Sequence, residues 1–110
     1  MARKVLLPLR MKLGIRSVGC EVSAAAHEHA RSSALAGLAG LLPDDAEVRL
    51  WLAWDGPVMT TPTMCTIQVV GATISLFERA MAPGLFDAID IAVHGTRRRL
   101  SASMRGTRVA

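Results

Sequence analysis

The chain has 110 residues, of which 51% are apolar, so it is long and apolar enough to form one globular domain, which excludes a disordered chain. Two cysteines at no recognisable spacing argue against a disulfide scaffold. No segment has the apolar length of a signal peptide or a membrane span, because the longest uncharged stretch, 56–77, is interrupted by two prolines. We therefore expect a cytoplasmic protein that does not enter a membrane.

Positive charge is concentrated at the two ends of the chain. Residues 1–20 contain five Lys or Arg and no acid, and residues 97–110 contain five Arg and no acid, although the whole chain has a formal net charge of only +4. Such a distribution attracts a polyanion in one orientation and favours a nucleic-acid partner. The alternative is that the terminal charges only keep the chain ends soluble.

The first third of the sequence predicts a leader, a strand and a helix. Residues 1–11 form a basic leader interrupted by proline, and residues 12–18 are compatible with a strand despite Gly14. Ser23 is a suitable N-cap for an alanine-rich helix that we expect to reach about Leu42. A turn at Pro43-Asp44-Asp45 ends this helix.

Alternating apolar and polar residues predict three further strands, at 47–55, 63–70 and 73–79, separated by a loop at 56–62 and a tight turn at Gly71. The side chains expected to face the core are Val48, Leu50, Leu52, Trp54, Cys65, Ile67, Val69, Ile74 and Leu76. The opposite face is expected to be wet, with Thr66, Gln68, Thr73, Ser75 and Phe77 on it. Trp51, Phe77, Arg49 and Arg79 on that face are compatible with a stacking platform for bases or with burial in a dimer.

A connector at 80–84 leads to a second helix, predicted from Leu85 to about Leu100. At 100° per residue its apolar face contains Leu85, Ala88, Ile89, Ala92, Val93 and Leu100, and its polar stripe contains Asp87, Asp90, His94, Arg97, Arg98 and Ser101. Acidic residues near the start of the helix and arginines near its end interact favourably with the helix dipole. Gly95 interrupts the helix at a cost of about 1 kcal/mol, and the sequence offers no reason for it.

The predicted element order is β-α-β-β-β-α, an α+β fold. One domain spans 12–103, and 104–110 form a basic tail. The first helix is apolar nearly all round, with Leu35, Leu38 and Leu42 on one face and small residues on another, which predicts burial on two sides. A homodimer formed through this helix is one way to bury the second side.

No spacing in the sequence brings together residues suited to catalysis or metal binding. His27 and His29 point to nearly opposite sides of a helix and cannot share a metal ion. A nucleophile, a base and an orienting group could be chosen from Cys20, His29 and Glu28, but nothing in the sequence brings these three residues together. No glycine-rich phosphate loop follows a strand. We therefore expect no enzyme activity, no metal and no cofactor.

Arginines near the carboxyl end are the best candidates for binding. Arg97 and Arg98 lie on the polar stripe of the second helix, Arg99 is beside them, and Arg105 and Arg108 follow in the tail. Guanidinium groups neutralise phosphates through charge-assisted, often bidentate hydrogen bonds. A helix end matched to its dipole, with a loose basic tail, is the alternative.

Two segments resemble a known family. Residues 85–93, LFDAIDIAV, are similar to an "L/M-Y-A-A-I-D-x-A-V" helix that a basic stretch follows, as Arg97–Leu100 do here. Val22-Ser23 and a helix opening with Ala25, His27, Glu28 and His29 are similar to a "V-T-x-A-L-R-E-x" entry. Both patterns are typical of the ribosome hibernation factors, the S30AE or sigma-54 modulation family, and the resemblance covers about residues 12–103.

The resemblance implies a fold and a partner. The fold would be dsRBD-like, with two helices packed on one face of a four-stranded sheet. The partner would be the small ribosomal subunit and its rRNA, bound in the mRNA/tRNA channel so that translation stops in resting, stressed cells. The implied contacts are Arg97, Arg98, Arg99, His27 and Arg31.

The first helix departs from the family pattern. Ser32 and Ser33 stand where the family usually has a lysine or arginine pair, and Ala36 and Gly37 replace commonly charged positions. An alternative function therefore stays open: a protein-interaction or homodimeric module that kept the fold and lost rRNA binding.

Overall fold

The computed structural model describes residues 12–18, 22–43, 45–54 and 63–109, with the side chains of Trp54 and of 104–109 excepted. The leader at 1–11, Cys20, Asp44 and the loop at 56–62 lie outside the described residues. The elements are β1 (Lys12–Val18), α1 (Ala24–Leu38), a 3-10 turn (Ala39–Leu41), β2 (Glu47–Trp54), β3 (Thr63–Val70), β4 (Ser75–Ala82) and α2 (Leu85–Val109).

The four strands form one sheet in the order β1-β2-β3-β4. β1 and β2 are parallel, because α1 carries the chain back between them, and the other two pairs are antiparallel. The inward apolar residues of the strands join a single core with the inward residues of α1 and α2, so both helices lie on one face of the sheet. The predicted α+β fold is confirmed.

The helix α1 packs closely on the sheet through small side chains. Ser23 caps it as predicted, since its Oγ accepts a hydrogen bond from the backbone nitrogen of Ala26 at 3.1 Å. The buried residues of α1 are Ala26, Ala30, Ala34 and Leu38. The helix ends at Leu38 and tightens into the 3-10 turn, so the expectation of one helix to Leu42 is wrong in its last four residues.

The second apolar side of α1 is covered by α2. A Cβ added at Gly37 would lie 2.8 Å from Cγ1 of Val93, which shows how closely the two helices approach there. Both apolar sides of α1 are therefore explained within one chain. Leu38, one of the three leucines expected to share a face of this helix, is fully buried in the core.

Two expected boundaries near the carboxyl end are wrong. β4 continues to Ala82, because Ala80 and Ala82 are buried and complete the alternation, so only residues 83 and 84 connect it to α2. α2 does not end at Leu100 but continues to Val109, in a segment without proline. The backbone of Arg105 is thus helical, while its side chain lies outside the described part.

The face assignment of α2 is confirmed. All six residues expected on its apolar face are buried in the core. Thr96, assigned to no face, is also buried at 1% exposure, and its hydroxyl donates to the carbonyl oxygen of Ala92 at 2.8 Å. This bond satisfies the one polar group that the threonine brings into the core.

Candidate nucleic-acid interface

The exposed stripe of α2 separates acidic from basic side chains along its length. Asp87 and Asp90 lie in its first two turns, and Arg97 and Arg98 follow about two turns later, all exposed. Among the described residues, neither guanidinium has a hydrogen-bond or ion-pair partner. Both are therefore able to donate to an external anion.

Arg99, expected to act with its two neighbours, is held by the protein itself. Its Nη1 donates to the carbonyl oxygen of Phe77 at 2.7 Å and to Oε1 of Glu78 at 3.0 Å. Its side chain is half exposed, whereas that of Glu78 is 26% exposed. Arg99 therefore fixes the middle of α2 against β4, and the Glu78 carboxylate offsets its charge.

The same carboxylate explains Gly95. A Cβ at this position would lie 2.6 Å from Oε2 of Glu78 and 3.1 Å from its Cδ. Glycine leaves space for Glu78 to lie against α2 and reach Arg99. Glycine makes this helix about 1 kcal/mol less stable than alanine would, but the contact between Glu78 and Arg99 needs the space that it leaves.

His27 and Arg31 lie one turn apart on α1, with His27 half-buried and Arg31 exposed. The contacts of α1 with α2 run through His29 and Gly37, which are on the other flank of the helix at 100° per residue. The structure therefore does not place His27 and Arg31 on the flank that meets α2. The predicted contacts fall into two separate groups.

His29 joins the two helices. Its ring stacks on Phe86 with a centroid distance of 4.5 Å and an interplanar angle of 25°, and its Nε2 lies 2.7 Å from Oδ1 of Asp90. Ser33 Oγ lies 3.5 Å from the same Nε2. These contacts give His29 a structural role in joining α1 to α2. Glu28 accepts a hydrogen bond from Ser32, and among the described residues it makes none with His29.

The described residues contain no group of three or more His, Cys, Asp or Glu side chains able to hold a metal ion. Within that same part of the chain, no helix is long and apolar enough to cross a membrane. Cys65 is fully buried in the centre of β3, and this burial raises the pKa of its thiol to about 12. Its thiolate, the nucleophilic form, is therefore scarce at neutral pH.

We expect Cys65 to resist alkylation in the folded protein. In a Cys20→Ser background, iodoacetamide at neutral pH should modify Cys65 only as fast as the chain opens, because the thiol is both protonated and inaccessible. Mass spectrometry in native buffer and in concentrated guanidinium chloride provides the comparison. Modification at equal rates in the two solutions would contradict the buried position.

The face of the sheet opposite the helices, here called the open sheet face, carries the outward residues that alternate with the core. Trp51, Phe77, Arg49 and Arg79 all lie on it, as the strand periods predicted. Thr66 is only 6% exposed, so the expectation of a uniformly wet face is wrong there. Its register partners are the larger Trp51 and Arg79, one on each side.

Solved structures of other proteins have the same fold, including one from Coxiella burnetii and one from Thermus thermophilus. A ribosomal subunit interface protein from Coxiella burnetii matches with a TM-score of 0.70 at 13% identity, over 86% of this chain and 99% of its own. The N-terminal domain of Protein Y from Thermus thermophilus matches with a TM-score of 0.61 at 19% identity, over 79% and 91% respectively. No protein-family model and no curated protein sequence matches the chain.

Both of these structures come from the hibernation-factor family. The resemblance inferred from residues 22–29 and 85–100 is thereby supported by an independent comparison of backbone geometry. At these identities the likeness establishes the fold alone. The chain has the fold of the hibernation-factor family.

Proposed function

We propose that this protein binds the small ribosomal subunit through rRNA and inhibits translation by occupying the mRNA/tRNA channel, without catalysis, in the cytoplasm of stressed cells. The observation that carries the proposal is the pair of exposed guanidinium groups of Arg97 and Arg98, which have no partner among the described residues. The shared fold with a ribosomal subunit interface protein supports the choice of partner.

The remaining candidates are ranked by their surroundings. Arg105 follows on the same helix, and we propose it as a third contact. Arg99 is a weaker donor, because Glu78 and the Phe77 carbonyl already engage its Nη1. His27 and Arg31 would form a second, smaller contact from α1. Most of the affinity for rRNA is thus expected to come from the arginines of α2.

Co-sedimentation with purified small subunits at several salt concentrations tests the proposal. The Arg97→Ala/Arg98→Ala variant should bind about tenfold more weakly or worse, because each guanidinium–phosphate contact is charge-assisted. The slope of log affinity against log salt should fall by roughly one per lost contact. Addition of the parent protein should inhibit translation in a purified system, and the variant should inhibit less.

A charge-matched variant separates position from net charge. Arg16→Ala/Arg79→Ala removes two cations from the open sheet face and should weaken subunit binding by a clearly smaller factor than Arg97→Ala/Arg98→Ala. Equal losses in the two double variants would mean that affinity follows overall charge, and the proposal would then be wrong. Full binding by Arg97→Ala/Arg98→Ala at elevated salt would contradict it as well.

The alternative, a homodimeric or protein-interaction module, loses its main support in the structure. The second apolar side of α1 already packs on α2 at Gly37 and Val93. Leu35 is half-buried, and the outermost residues of the helix, such as Ser32 and Ala36, are small. No specific observation therefore favours a partner on α1.

A further inference from the structure

The open sheet face brings cations and aromatic rings together without a helix over them. Both helices contribute to the core on the other side of the sheet. The outward side chains of the described strands include four cations and one carboxylate, Glu47, together with two aromatic rings. The cations are Lys12, Arg16, Arg49 and Arg79, and the rings are Trp51 and Phe77.

The strand register arranges these side chains in adjacent rows. Arg16, Trp51, Thr66 and Arg79 are paired in succession across β1, β2, β3 and β4, which makes one row about 14 Å wide at the usual strand spacing. The next row contains Arg49 and Phe77, with Gly14 at its β1 end. Trp51 therefore lies directly beside Arg16, with Arg79 two strands away on its other side, and Phe77 lies on the edge strand β4.

Two of the arginines are free to bind an anion. Arg49 donates to both carboxylate oxygens of Glu47, at 3.1 and 3.4 Å, and this contact holds the pKa of Glu47 below its ordinary value. Arg16 and Arg79 have no acidic partner among the described residues. The guanidinium of Arg79 lies 5.8 Å from the centroid of the Phe77 ring, within cation–π range.

Gly14 creates a depression in this face. No atom lies within 4 Å of a Cβ built at Gly14, so the position opens to solvent. A cavity of about 420 Å³ lies beside it, and the other lining residues are Arg16, Glu47, Arg49, Leu50 and Trp51. This volume is within the range of ligand sites. Glycine in a strand often marks a place where a ligand comes close to the backbone.

We infer that the open sheet face is a second nucleic-acid surface, which binds a single-stranded RNA segment by stacking bases on Trp51 and Phe77 and by pairing phosphates with Arg16 and Arg79. Stacking against aromatic rings, combined with a positively charged groove, is the usual physical basis for binding single strands without base specificity. A base beside Trp51 would occupy the depression at Gly14. This inference goes beyond subunit binding by α2.

Charge argues against a second copy of the chain as the occupant. A symmetric contact through this face would bring Arg16 and Arg79 toward the same cations of the partner, while Glu47 is already paired with Arg49. Like charges placed opposite each other oppose association. A polyanion removes this repulsion and releases its counterions.

Fluorescence anisotropy with a labelled single-stranded RNA decamer tests the inference in the absence of ribosomes. Trp51→Ala should weaken binding about tenfold, because stacking on one aromatic ring contributes that much or more. Arg16→Ala/Arg79→Ala should weaken binding by a similar factor and reduce the salt slope. In a Trp54→Phe background, addition of the RNA should quench the fluorescence of Trp51.

A steric variant makes the test independent of charge. Gly14→Ile fills the depression while every cation remains, and strand propensity predicts that the folded state is no less stable. We expect it to lose decamer binding at least tenfold with an unchanged or raised midpoint of thermal unfolding. Arg97→Ala/Arg98→Ala makes the same change in formal charge at the proposed subunit contact, and it should weaken decamer binding by a clearly smaller factor than Arg16→Ala/Arg79→Ala.

Several results would overturn the inference. Absence of decamer binding would do so, as would equal losses in the α2 and sheet variants together with no effect of Trp51→Ala and Gly14→Ile. A dimer in sedimentation velocity that Gly14→Ile dissociates would assign the face to a second copy. Because the assay contains no ribosome, its failure is distinguishable from failure of subunit binding through α2.

Discussion

Replacement of Leu38 by alanine is expected to lower the free energy of unfolding by about 2–5 kcal/mol, the range for a leucine truncated in a packed core. Leu38 is the last residue of α1 and has 0% exposure. Its loss leaves a cavity where the end of the helix meets the sheet, and the helix cannot move in to fill it while Gly37 is against Val93. Urea denaturation monitored by circular dichroism measures the difference.

Leu35→Ala is the matched control on the same helix. Leu35 is only half-buried, so its truncation should lower the free energy of unfolding by about 1 kcal/mol or less. The comparison also tests the dimer hypothesis. If α1 formed a subunit contact through its leucines, the midpoint of unfolding of the parent protein would depend on protein concentration, and both variants would reduce that dependence. Similar losses in the two variants would contradict the position of Leu38.

Enlarging Ala30 is expected to destabilise the protein by about 1–3 kcal/mol, through overpacking. Ala30 lies in the middle of the alanine row that faces the sheet and has 0% exposure. Ala30→Leu adds three carbon atoms at a fully buried position of the core, so α1 must move away from the residues on which it packs. Thermal unfolding of Ala30→Leu against the parent protein measures the loss.

Ala36→Leu, on the exposed side of α1, makes the same chemical change without overpacking. Leucine and alanine have similar helix propensities, so its free energy of unfolding should stay within about 0.5 kcal/mol of that of the parent. A similar loss in both variants would indicate a general effect of leucine in this helix. The row of buried alanines would then not control the helix–sheet distance.

Local periodicity predicted most of the fold. The two-residue alternation in 47–54 and 63–70 identified the inward side chains, since a strand places successive residues on opposite faces. The predicted limits of β3 and of β1 agree with the structure. The predicted ends of α1, β4 and α2 were wrong, and the ends of elements are the positions that are assigned least precisely. Pro83 and Gly84 directly follow β4 and were a signal for its end, whereas Gly106 does not interrupt α2.

The candidate site was predicted less completely. The exposure of Arg97 and Arg98 followed from the polar stripe of α2, because residues three and four apart share a helix face. The sequence did not show that Arg99 differs from Arg97 and Arg98, since its partners Phe77 and Glu78 are 22 and 21 residues away along the chain. The depression at Gly14 also depends on neighbouring strands, although a glycine within a strand was a signal for it.

The sequence by itself determined the element order, the N-cap at Ser23 and the amphipathic stripe of α2, because each depends on residues a few positions apart. Only the tertiary structure decided which arginines are available for an anion, why Gly95 is tolerated and which helix covers the second side of α1. Those outcomes depend on contacts between distant segments, such as His29 with Asp90 across 61 residues. Periodicity places a side chain on a face, whereas its partner is fixed only when the elements pack.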